Sequence, residues 1–439
     1  MTSMSEQSPP QGWCNRQLHD LCYVVGGGTP SRSQPKFWNG DIPWASVKDF
    51  SDEAVFLHDT KEHITQEGLE SSANTLVQAN TPVVCTRMAV GRCALTIRPT
   101  AINQDLKALL LRESFDLRFF IRLLKFHGSI LDRVSVGSTV RGITTHDLLS
   151  LALSYPDKSE QSRIAGVLDT VDEAIAMTEA VITKLKQVRT GLLHDLLTCG
   201  LDEYGQLHDP IAHPEQFQDS LLGSIPRGWE VLTLEALLAR VPNALRSGPF
   251  GSALLKQELK ESGIPLLGID NVHIERFVAN YTRFVDDDKF VELSRYAVRA
   301  GDVMITIMGT VGRCCVVPDS IGVALSSKHV WTITLDRSRY SPHVACWQMN
   351  FAPWVLRQFK RDEQGGVMTA IRSETLRQLL LPVPPPPEMQ AIETILLQFN
   401  KRIGEEEALL AKLAALKSAL MSDLLTGRVR VPKEIVVVS

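Results

Sequence analysis

The sequence predicts an α+β protein: two mixed α/β domains joined by two long, antiparallel coiled-coil helices, with an internal pseudo-two-fold repeat. The first observation is a repeated phrase, because Asp195–Thr198 returns as Asp423–Thr426 at an offset of 228 residues. The match continues upstream at the same offset for almost 40 residues, beginning with Glu160 and Glu388. The second observation is that apolar residues in both copies advance in steps of four, three and seven, which is typical of coiled coils.

The segments that precede the two helices also begin alike, on Gly12-Trp13 and Gly228-Trp229. With 439 residues the chain is too long to form one ordinary hydrophobic core and long enough for two domains with connectors. We expect this order: a disordered tail at 1–11, a first domain at 12–155, a first long helix at 156–200, a connector at 201–227, a second domain at 228–383, a second long helix at 384–430 and a tail at 431–439.

Inside the domains, Cys85–Ile97 parallels Thr306–Pro318 at an offset of 221, and both predict a strand, a Val-Gly-Arg turn and a second strand. Runs rich in Val, Ile and Thr predict further half-buried strands. Helical patterns follow them, so each domain mixes α and β structure. The predicted strands are Thr81–Arg87, Asp302–Met308 and Lys328–Leu335, and the helices are Phe115–His127 and His343–Lys360.

Each long helix carries one narrow apolar stripe, the pattern that buries a helix against another helix over about 60 Å. Polar residues interrupt both stripes at matched places, Thr178 with Glu406 and Arg189 with Lys417. They either fix the register of the pair or extend their stems out of the stripe, and both interpretations stay open. The stripe consists of Ile164, Leu168, Val171, Ile175, Ile182, Leu185, Leu192, Leu196, Ile392, Leu396, Phe399, Ile403, Leu410, Leu413, Leu420 and Leu424.

Start and stop signals bound both helices. Ser159 is the expected N-cap of the first helix. Pro384–Pro387 predicts a stiff extended approach that the second helix follows without containing it, or alternatively an SH3-type ligand. Gly200 and Gly427 are the expected C-terminal glycines.

Charge and cysteine content narrow the class of protein. The net charge is −4, yet residues 81–150 hold ten Lys and Arg against five acids, and residues 309–378 hold nine against five. Two basic blocks in an acidic chain indicate nucleic-acid contacts. Eight cysteines without a CxxC pair predict reduced thiols and no metal site. No membrane-length apolar run and no signal peptide are found, so a cytoplasmic protein without membrane contact is expected.

Three stretches resemble the DNA-specificity subunit of type I restriction–modification systems. Gly26–Phe50 (GGGTPSRSQPKFWNGDIPWASVKDF) is similar to the opening of that family's target recognition domain. Arg246–Val272 (RSGPFGSALLKQELKESGIPLLGIDNV) is similar to the other common variant of this opening. His213–Glu230 (HPEQFQDSLLGSIPRGWE) resembles the lead into the second recognition domain. The resemblance covers the chain from about Gly12 to Arg430.

The resemblance implies a non-catalytic subunit whose two recognition domains each read one half of a split, asymmetric target in double-stranded DNA. The helices would set the gap between half-sites and dock two modification (methyltransferase) subunits, with restriction/translocase subunits joining through the complex. That complex would methylate adenine at N6 with S-adenosylmethionine, or cleave DNA with ATP and Mg²⁺. This chain itself would bind no cofactor. Because the two openings are different variants, the domains are expected to read different sequences.

The residues themselves offer no catalytic or metal centre. Gly26–Pro30 lacks the lysine of a phosphate-binding loop, and Pro30 lacks a backbone N–H, so a turn is the favoured interpretation. No GxSxG, HExxH or methyltransferase Asn-Pro-Pro-aromatic motif occurs. The acidic run Asp286–Asp288 is typical of a solvated surface. We therefore predict no catalytic residue in this chain.

Without a catalytic centre, the basic blocks are expected to carry the function. Lys and Arg neutralise phosphates, whereas polar side chains on loops read base edges. The first-domain candidates for DNA contact are Arg87, Arg92, Asn103, Gln104, Lys107, Ser138, Thr139 and Arg141, in part from the loop Gly137–Arg141. The second-domain candidates are Arg246, Ser247, Arg313, Ser326, Ser327, Lys328 and Arg372. For each residue alone, an ordinary solvated or structural role is the alternative.

Two hypotheses of different class remain. In the first, the helix pair holds the two DNA readers so that half-site centres lie about 34 Å apart, one turn of the duplex. In the second, the protein is a coiled-coil scaffold whose globular domains bind protein partners. The second hypothesis leaves the basic blocks unexplained, so the first is favoured.

Overall fold

The structure is a computed structural model that describes residues 9–72, 74–135, 141–363 and 371–434, without the side chains of Val134 and 361–363. The chain forms two compact units. Unit 1 comprises Met1–Ala180 with Glu407–Ser439, and unit 2 comprises Val181–Glu406. Among the described residues, no helix combines the length and the apolar character needed to cross a membrane.

Unit 1 mixes short strands with helices. Its strands are β1 (Cys14–Gln17), β2 (Cys22–Gly26), β3 (Trp38–Ala45), β4 (Phe56–Leu57), β5 (Glu62–Ile64), β6 (Thr75–Val77), β7 (Pro82–Cys85), β8 (Cys93–Thr96), β9 (Thr100–Ile102), β10 (Leu106–Leu111) and β11 (Ala152–Tyr155). Its helices are α1 (Leu18–Leu21), α2 (Gln66–Glu70), α3 (Leu117–Val134), α4 (Thr145–Leu149) and the first part of α5 (Lys158–Thr198).

Unit 2 has a similar mixture of short strands and helices. Its strands are β12 (Phe217–Ser220), β13 (Gly223–Pro226), β14 (Glu230–Thr233), β15 (Leu245–Ser247), β16 (Ile264–Leu267), β17 (Val272–His273), β18 (Arg276–Phe277), β19 (Phe284–Val285), β20 (Ala297–Val298), β21 (Val303–Thr306), β22 (Cys314–Val316), β23 (Ala324–Ser326), β24 (Val330–Ile333) and β25 (Leu380–Val383). Its helices are α6 (Leu234–Leu237), α7 (Asp287–Glu292), α8 (Pro342–Phe351), α9 (Pro353–Glu363), α10 (Ser373–Gln378) and the first part of α11 (Pro386–Leu424).

The sheets of the two units follow one plan. Unit 1 has the strand order β2-β10-β7-β8-β4, and unit 2 has β15-β24-β21-β22. A second sheet in each unit contains a parallel pair, β3 with β9 and β16 with β23. In each unit a two-stranded sheet pairs strands that are far apart in the chain, β1 with β11 and β14 with β25. The mixture of α and β structure predicted for each unit is therefore confirmed.

The helix boundaries correct two predictions. Helix α5 begins at Lys158, and Asp157, not Ser159, caps it, because the Asp157 carboxylate accepts the backbone N–H of Glu160 at 2.9 Å. Helix α11 begins at Pro386 and so contains two prolines of the predicted lead-in. Proline is tolerated there because the first turn of a helix has no use for its N–H.

The other boundaries differ by a few residues. The predicted strands at Thr81–Arg87, Asp302–Met308 and Lys328–Leu335 contract to β7, β21 and β24. The predicted helix Phe115–His127 is displaced to α3. The predicted helix at 343–360 divides into α8 and α9, since Pro353 cannot continue the hydrogen bonding of α8.

Segments of both long helices pack together within each unit. In unit 1 the core joins Ile164 and Leu168 of α5 to Leu424 of α11. In unit 2 it joins Leu196 of α5 to Ile392 and Leu396 of α11. All sixteen residues of the apolar stripe are buried or half-buried.

The polar positions of the stripe also have partners inside their own unit. Lys417 of α11 lies 2.9 Å from the Asp172 carboxylate of α5 in unit 1. Arg189 of α5 donates to the side chain of Asn400 of α11 in unit 2. Asn400 and Asp172 are themselves related by the offset of 228, so the two contacts are equivalent in the repeat.

Candidate nucleic-acid interface

The two openings that differ in sequence share one close backbone approach. A Cβ atom at Gly27 would lie 1.8 Å from the carbonyl oxygen of Ile102, and one at Gly248 would lie 2.0 Å from that of Ser326. The N–H of Gly28 accordingly donates to Ile102 at 3.0 Å. Glycine is required here by backbone packing. The structure has no turn at residues 27–30, which follow β2 as an irregular segment, so the turn interpretation of the first opening is not confirmed.

The Val-Gly-Arg loops also have one geometry in both units. The N–H of Gly91 donates to the Cys85 carbonyl at 3.0 Å, and that of Gly312 donates to the Thr306 carbonyl at 2.9 Å. The φ angles of the two glycines are 86° and 87°. The sequence offset of 221 is therefore a three-dimensional repeat of strand, loop and strand.

In unit 1, three further segments meet beside the Val-Gly-Arg loop, and together with it they form a surface that we call loop face 1: residues 26–32, 86–92, 102–107 and 141–143. The N–H of Met88 donates to the Arg141 carbonyl at 2.9 Å, and the N–H of Thr86 donates to the Asp105 carbonyl at 2.8 Å. The Thr29 hydroxyl donates to the Gln104 side chain. Most of the first-domain candidates are thus brought together on one surface.

The candidates of unit 1 differ in how accessible they are. Arg87 and Arg141 have side chains 61% and 52% exposed, and Gln104 is exposed. The amino group of Lys107, a half-buried residue, lies against Gly26. These four residues present polar groups to solvent.

Two further candidates of unit 1 are engaged by other residues of the protein. Asn103 is buried, and its side-chain oxygen accepts the N–H of Asp105 at 3.1 Å. Arg92 forms a two-point ion pair with Asp52 at 2.9 and 3.0 Å. Ser138 and Thr139 lie outside the described residues, as does most of the loop Gly137–Arg141.

In unit 2, Arg246 has a structural environment. It is 8% exposed, pairs with the buried carboxylate of Asp302, and donates to the carbonyl of Ala297 at 2.7 Å and to the Thr334 hydroxyl at 2.8 Å. Burial lowers the pKa of the Arg246 guanidinium in spite of the neighbouring Asp302 charge. Arg246 therefore ties β15 to the strands beside it and is not available at the surface.

The three serine candidates of unit 2, Ser247, Ser326 and Ser327, are buried at the ends of strands. Lys328 and Arg372 are exposed and Arg313 is half-buried. Burial, and then the positive charges of Lys328 and Arg283, lower the pKa of His329. We call the surface of residues 307–313 and 326–329 loop face 2, and it carries the cationic residues Arg313 and Lys328.

Ligand-binding and nucleophilic chemistry is not indicated in the described part of the chain. No group of three His, Cys, Asp or Glu side chains there is placed to hold a metal ion. The cysteines are free thiols, as predicted. Burial raises the pKa of the Cys22 thiol to about 11 and that of Cys93 to about 12, so both remain protonated at neutral pH.

Sequence reasoning missed the polar contacts that attach the loops to the long helices. Lys417 pairs with Glu53 at 3.0 Å as well as with Asp172, and Arg189 pairs with Glu275 as well as with Asn400. Glu53 and Glu275 are 222 residues apart, close to the offset of 221 between the domains. A search for acids at the offset of 221 alone would have missed them, because the offset that relates the two glutamates is one residue longer.

Comparison with known proteins defines the class. Residues 10–187 match the family model described as Type I restriction modification DNA specificity domain. The MjaIX specificity subunit of a type I restriction enzyme of Methanocaldococcus jannaschii is 20% identical over 438 residues, which are 96% of this chain and 94% of that protein. The EcoR124I/EcoR124II specificity subunit of Escherichia coli is 33% identical over 164 residues, 36% of this chain and 40% of that protein.

Solved structures show the same fold. The type I restriction–modification S subunit from M. genitalium has a TM-score of 0.56 at 16% identity, with 97% of this chain and 99% of that chain covered. A chain from a study of complex assembly and conformational transition of the type I R-M system has a TM-score of 0.57 at 14% identity, covering 96% and 100%.

The protein is thus one that carries a DNA specificity domain of the restriction–modification type. More particularly, residues 10–187 match that domain, and the chain is similar over 96% of its length to a specificity subunit of a type I restriction–modification enzyme. Specificity subunits are the non-catalytic members of these systems, which confirms the prediction that this chain is not itself an enzyme.

Proposed function

We propose that the chain selects a split, asymmetric target in double-stranded DNA, with unit 1 reading one half-site and unit 2 the other. The observation that carries this proposal is one loop architecture built twice with different exposed side chains. Arg87 and Arg141 stand on loop face 1, whereas Lys328 stands on loop face 2. The same scaffold with different side chains is what two different half-sites require.

Within this proposal, the accessible candidates contact DNA and the buried ones support them. Arg87, Gln104, Lys107 and Arg141 in unit 1, and Arg313, Lys328 and Arg372 in unit 2, have side chains that reach solvent. Arg246, Asn103 and the three buried serines hold the loops in place. Salt-dependent affinity then comes from the cations, and sequence selection from the base edges that the same loops reach.

We also propose that the recognition domains span 12–155 and 228–383, and that α5 and α11 form an antiparallel coiled coil between them. In unit 1, Glu160 pairs with Arg430 and Asp172 with Lys417, so residue numbers rise along α5 as they fall along the other segment. The coiled coil would hold the half-site centres about 34 Å apart. The length of such a helix pair would set the spacing between the two half-sites of the target.

The outer faces of the helices are proposed to dock two modification subunits. Val181 and Val188 of α5 in unit 2 are each 43% exposed, and Leu409 and Leu416 of α11 in unit 1 are 44% and 47% exposed. The second pair repeats the first at the offset of 228, so each unit presents an equivalent apolar site to one copy of the same partner. S-adenosylmethionine, ATP and Mg²⁺ would act in the modification and restriction subunits. The cytoplasmic location stays a prediction.

The DNA proposal is tested by sequencing the methylome of cells that express this chain with its modification subunits. We expect one split motif with methyl-adenine in both halves. Arg87→Ala should relax one half-site and Lys328→Ala the other, while Lys433→Ala, an exposed lysine near the C-terminus, should leave the motif unchanged. Variants that relax both halves together, or a duplex of scrambled sequence bound as tightly as the motif, would favour the protein-scaffold alternative.

The docking proposal is tested by native mass spectrometry of the assembled complex. Val188→Asp and Leu416→Asp should each remove one modification subunit, and the double variant should remove both, because a buried carboxylate opposes an apolar interface. Val291→Asp is the matched control, since Val291 is 70% exposed on α7 of unit 2. Retention of two modification subunits by the double variant would reject these sites.

A further inference from the structure

The tip of the Val-Gly-Arg loop in unit 1 carries an apolar side chain that the proposed function does not use. Met88 is 61% exposed, although exposing a large apolar side chain to water is energetically unfavourable. It follows Arg87 directly, and its N–H donates to the carbonyl of Arg141. An exposed methionine therefore lies in loop face 1, next to Arg87 in the chain and bonded through its backbone to Arg141.

The backbone of Met88 is in a conformation that disfavours methionine. Its φ is 61°, in the left-handed region where a Cβ atom is strained. The equivalent residue of unit 2, at the offset of 221, is Gly309 with φ 75°. Glycine adopts this conformation without strain, so unit 2 has the residue that suits the turn and unit 1 has one that does not.

The other non-glycine residues with left-handed φ in the described part of the chain have visible reasons. Asn39, Asn80 and Asn243 belong to a residue type that tolerates the region, and the carboxylate of Glu275 pairs with Arg189. Met88 has neither reason. Strain kept without an internal partner points to a side chain needed for an external contact.

The loop also holds Met88 in a fixed position. The N–H of Ala89 donates to the Arg87 carbonyl at 2.7 Å, and that of Gly91 donates to Cys85. A Cβ at Gly91 would lie 2.7 Å from the Cα of Gly128 on α3, so the loop is packed tightly on that helix. A rigid loop presents its tip with little loss of conformational entropy on binding.

We infer that Met88 contacts the C5-methyl group of a thymine in the half-site that unit 1 reads. In the major groove this methyl group is the apolar feature of the base edges, and it is read by apolar side chains. Arg87 and Arg141 would neutralise nearby phosphates or donate hydrogen bonds to guanine edges. The inference rests on the proposed function, and it predicts no equivalent contact at Gly309 in the other half-site.

The test uses the complete specificity and modification complex with duplexes that contain its methylation motif. Each thymine of both half-sites is replaced in turn by deoxyuridine, which removes only the C5-methyl group. The wild type should lose about fourfold in affinity at one position of one half-site, corresponding to about 0.8 kcal/mol for one buried methyl group. Met88→Gly should bind thymine and deoxyuridine equally at that position and still prefer the motif to a scrambled duplex.

Met88→Gly keeps the turn, because glycine already occupies the equivalent position in unit 2. Met177→Ala is the matched control: Met177 is 68% exposed on α5, away from loop face 1, and its loss should leave the deoxyuridine profile unchanged. A flat profile in the wild type, a target half without thymine, or unchanged discrimination in Met88→Gly would overturn the inference. If the wild type bound the motif and a scrambled duplex equally well, the proposed function would instead be rejected.

Discussion

The two units secure the first turn of their long helix with the same acid and different donors. In unit 1, the Glu160 carboxylate is held by the Arg430 guanidinium, whose Nε lies 2.6 Å away and whose Nη1 also donates to the Gln11 carbonyl. The indole N–H of Trp13 is buried nearby against Gly427 and has no acceptor among the described residues. The carboxylate has a charged partner and the tryptophan has none.

In unit 2, the equivalent Glu388 accepts the indole N–H of Trp229 at 3.0 Å and the backbone N–H of Leu201 at 2.8 Å. Burial raises the pKa of Glu388, and these hydrogen bonds oppose the rise only in part. The repeat therefore keeps an acceptor at the start of each helix, while the chain that arrives beside it decides whether the donor is charged or neutral. Equivalent residues in a repeat need not have equivalent electrostatics.

The largest expected effect comes from removing Arg246 of unit 2. Its counterpart in unit 1, at the offset of 221, is the uncharged Val25. Arg246→Ala leaves Asp302 buried without its partner, so we expect the local stability of unit 2 to fall by about 3–5 kcal/mol. Native-state hydrogen exchange of β15, β21 and β24 measures it, and unit 1 should keep its protection.

A double change is the control for Arg246. Replacing Arg246 by Met together with Asp302 by Asn removes both charges, and we expect it to cost less than Arg246→Ala alone. If the double variant is the less stable of the two, the uncompensated charge is not the cause of the loss.

The next effect concerns Asp172 and Asn400, which are equivalent in the repeat. Asp172 faces both Arg122 and Lys417, whereas Asn400 faces Arg189. Asp172→Asn should therefore weaken unit 1 by about 1–3 kcal/mol, while Asn400→Asp should change unit 2 by less than about 1 kcal/mol. Urea unfolding followed by hydrogen exchange separates the two units, and equal effects of the two substitutions would contradict the comparison.

The smallest effect is a dependence on pH in unit 2. Because the folded protein raises the pKa of Glu388, the favourable contribution of this group is fully present below its unfolded pKa, about 4.3. It is lost as the pH rises through the folded value. Glu388→Gln keeps an oxygen acceptor for Trp229 and Leu201, so it should remove this dependence and leave unit 2 at least as stable at pH 7.

Hydrogen exchange of α11 between pH 4 and pH 8 measures the Glu388 effect. Glu160→Gln is the matched variant in unit 1, and there the loss of charge opposite Arg430 should lower the stability at pH 7. An identical pH profile for the wild type and Glu388→Gln would contradict the prediction.

Much of the fold was predictable because periodicity and repetition are local signals. Both long helices and the paired strands around the Val-Gly-Arg loops lie within a few residues of their predicted positions. The misplaced ends have local causes, namely the Asp157 cap and prolines tolerated in a first turn. Propensity does not choose between two capping residues that lie two positions apart, such as Asp157 and Ser159.

The candidate site was less predictable. The sequence does not show whether a Lys, Arg or Ser side chain is exposed or buried. The buried Arg246 and Ser326 were therefore predicted to contact DNA together with the exposed Lys328. The loop faces are assembled by hydrogen bonds between distant segments, such as Met88 with Arg141. Met88 itself carries no polar signal, and only its exposure and its φ angle set it apart.

By itself the sequence determined the class of protein, the internal repeat, the two long helices and the basic block in each domain, because these follow from composition, periodicity and recognisable motifs. The tertiary structure alone decided which charges reach solvent, which acids pair with Lys417 and Arg189, and which donor meets each helix-initiating glutamate. The physical reason is that burial and hydrogen bonding depend on contacts between residues far apart in the chain. These contacts change the free energy of a charged side chain more than the choice of residue type does.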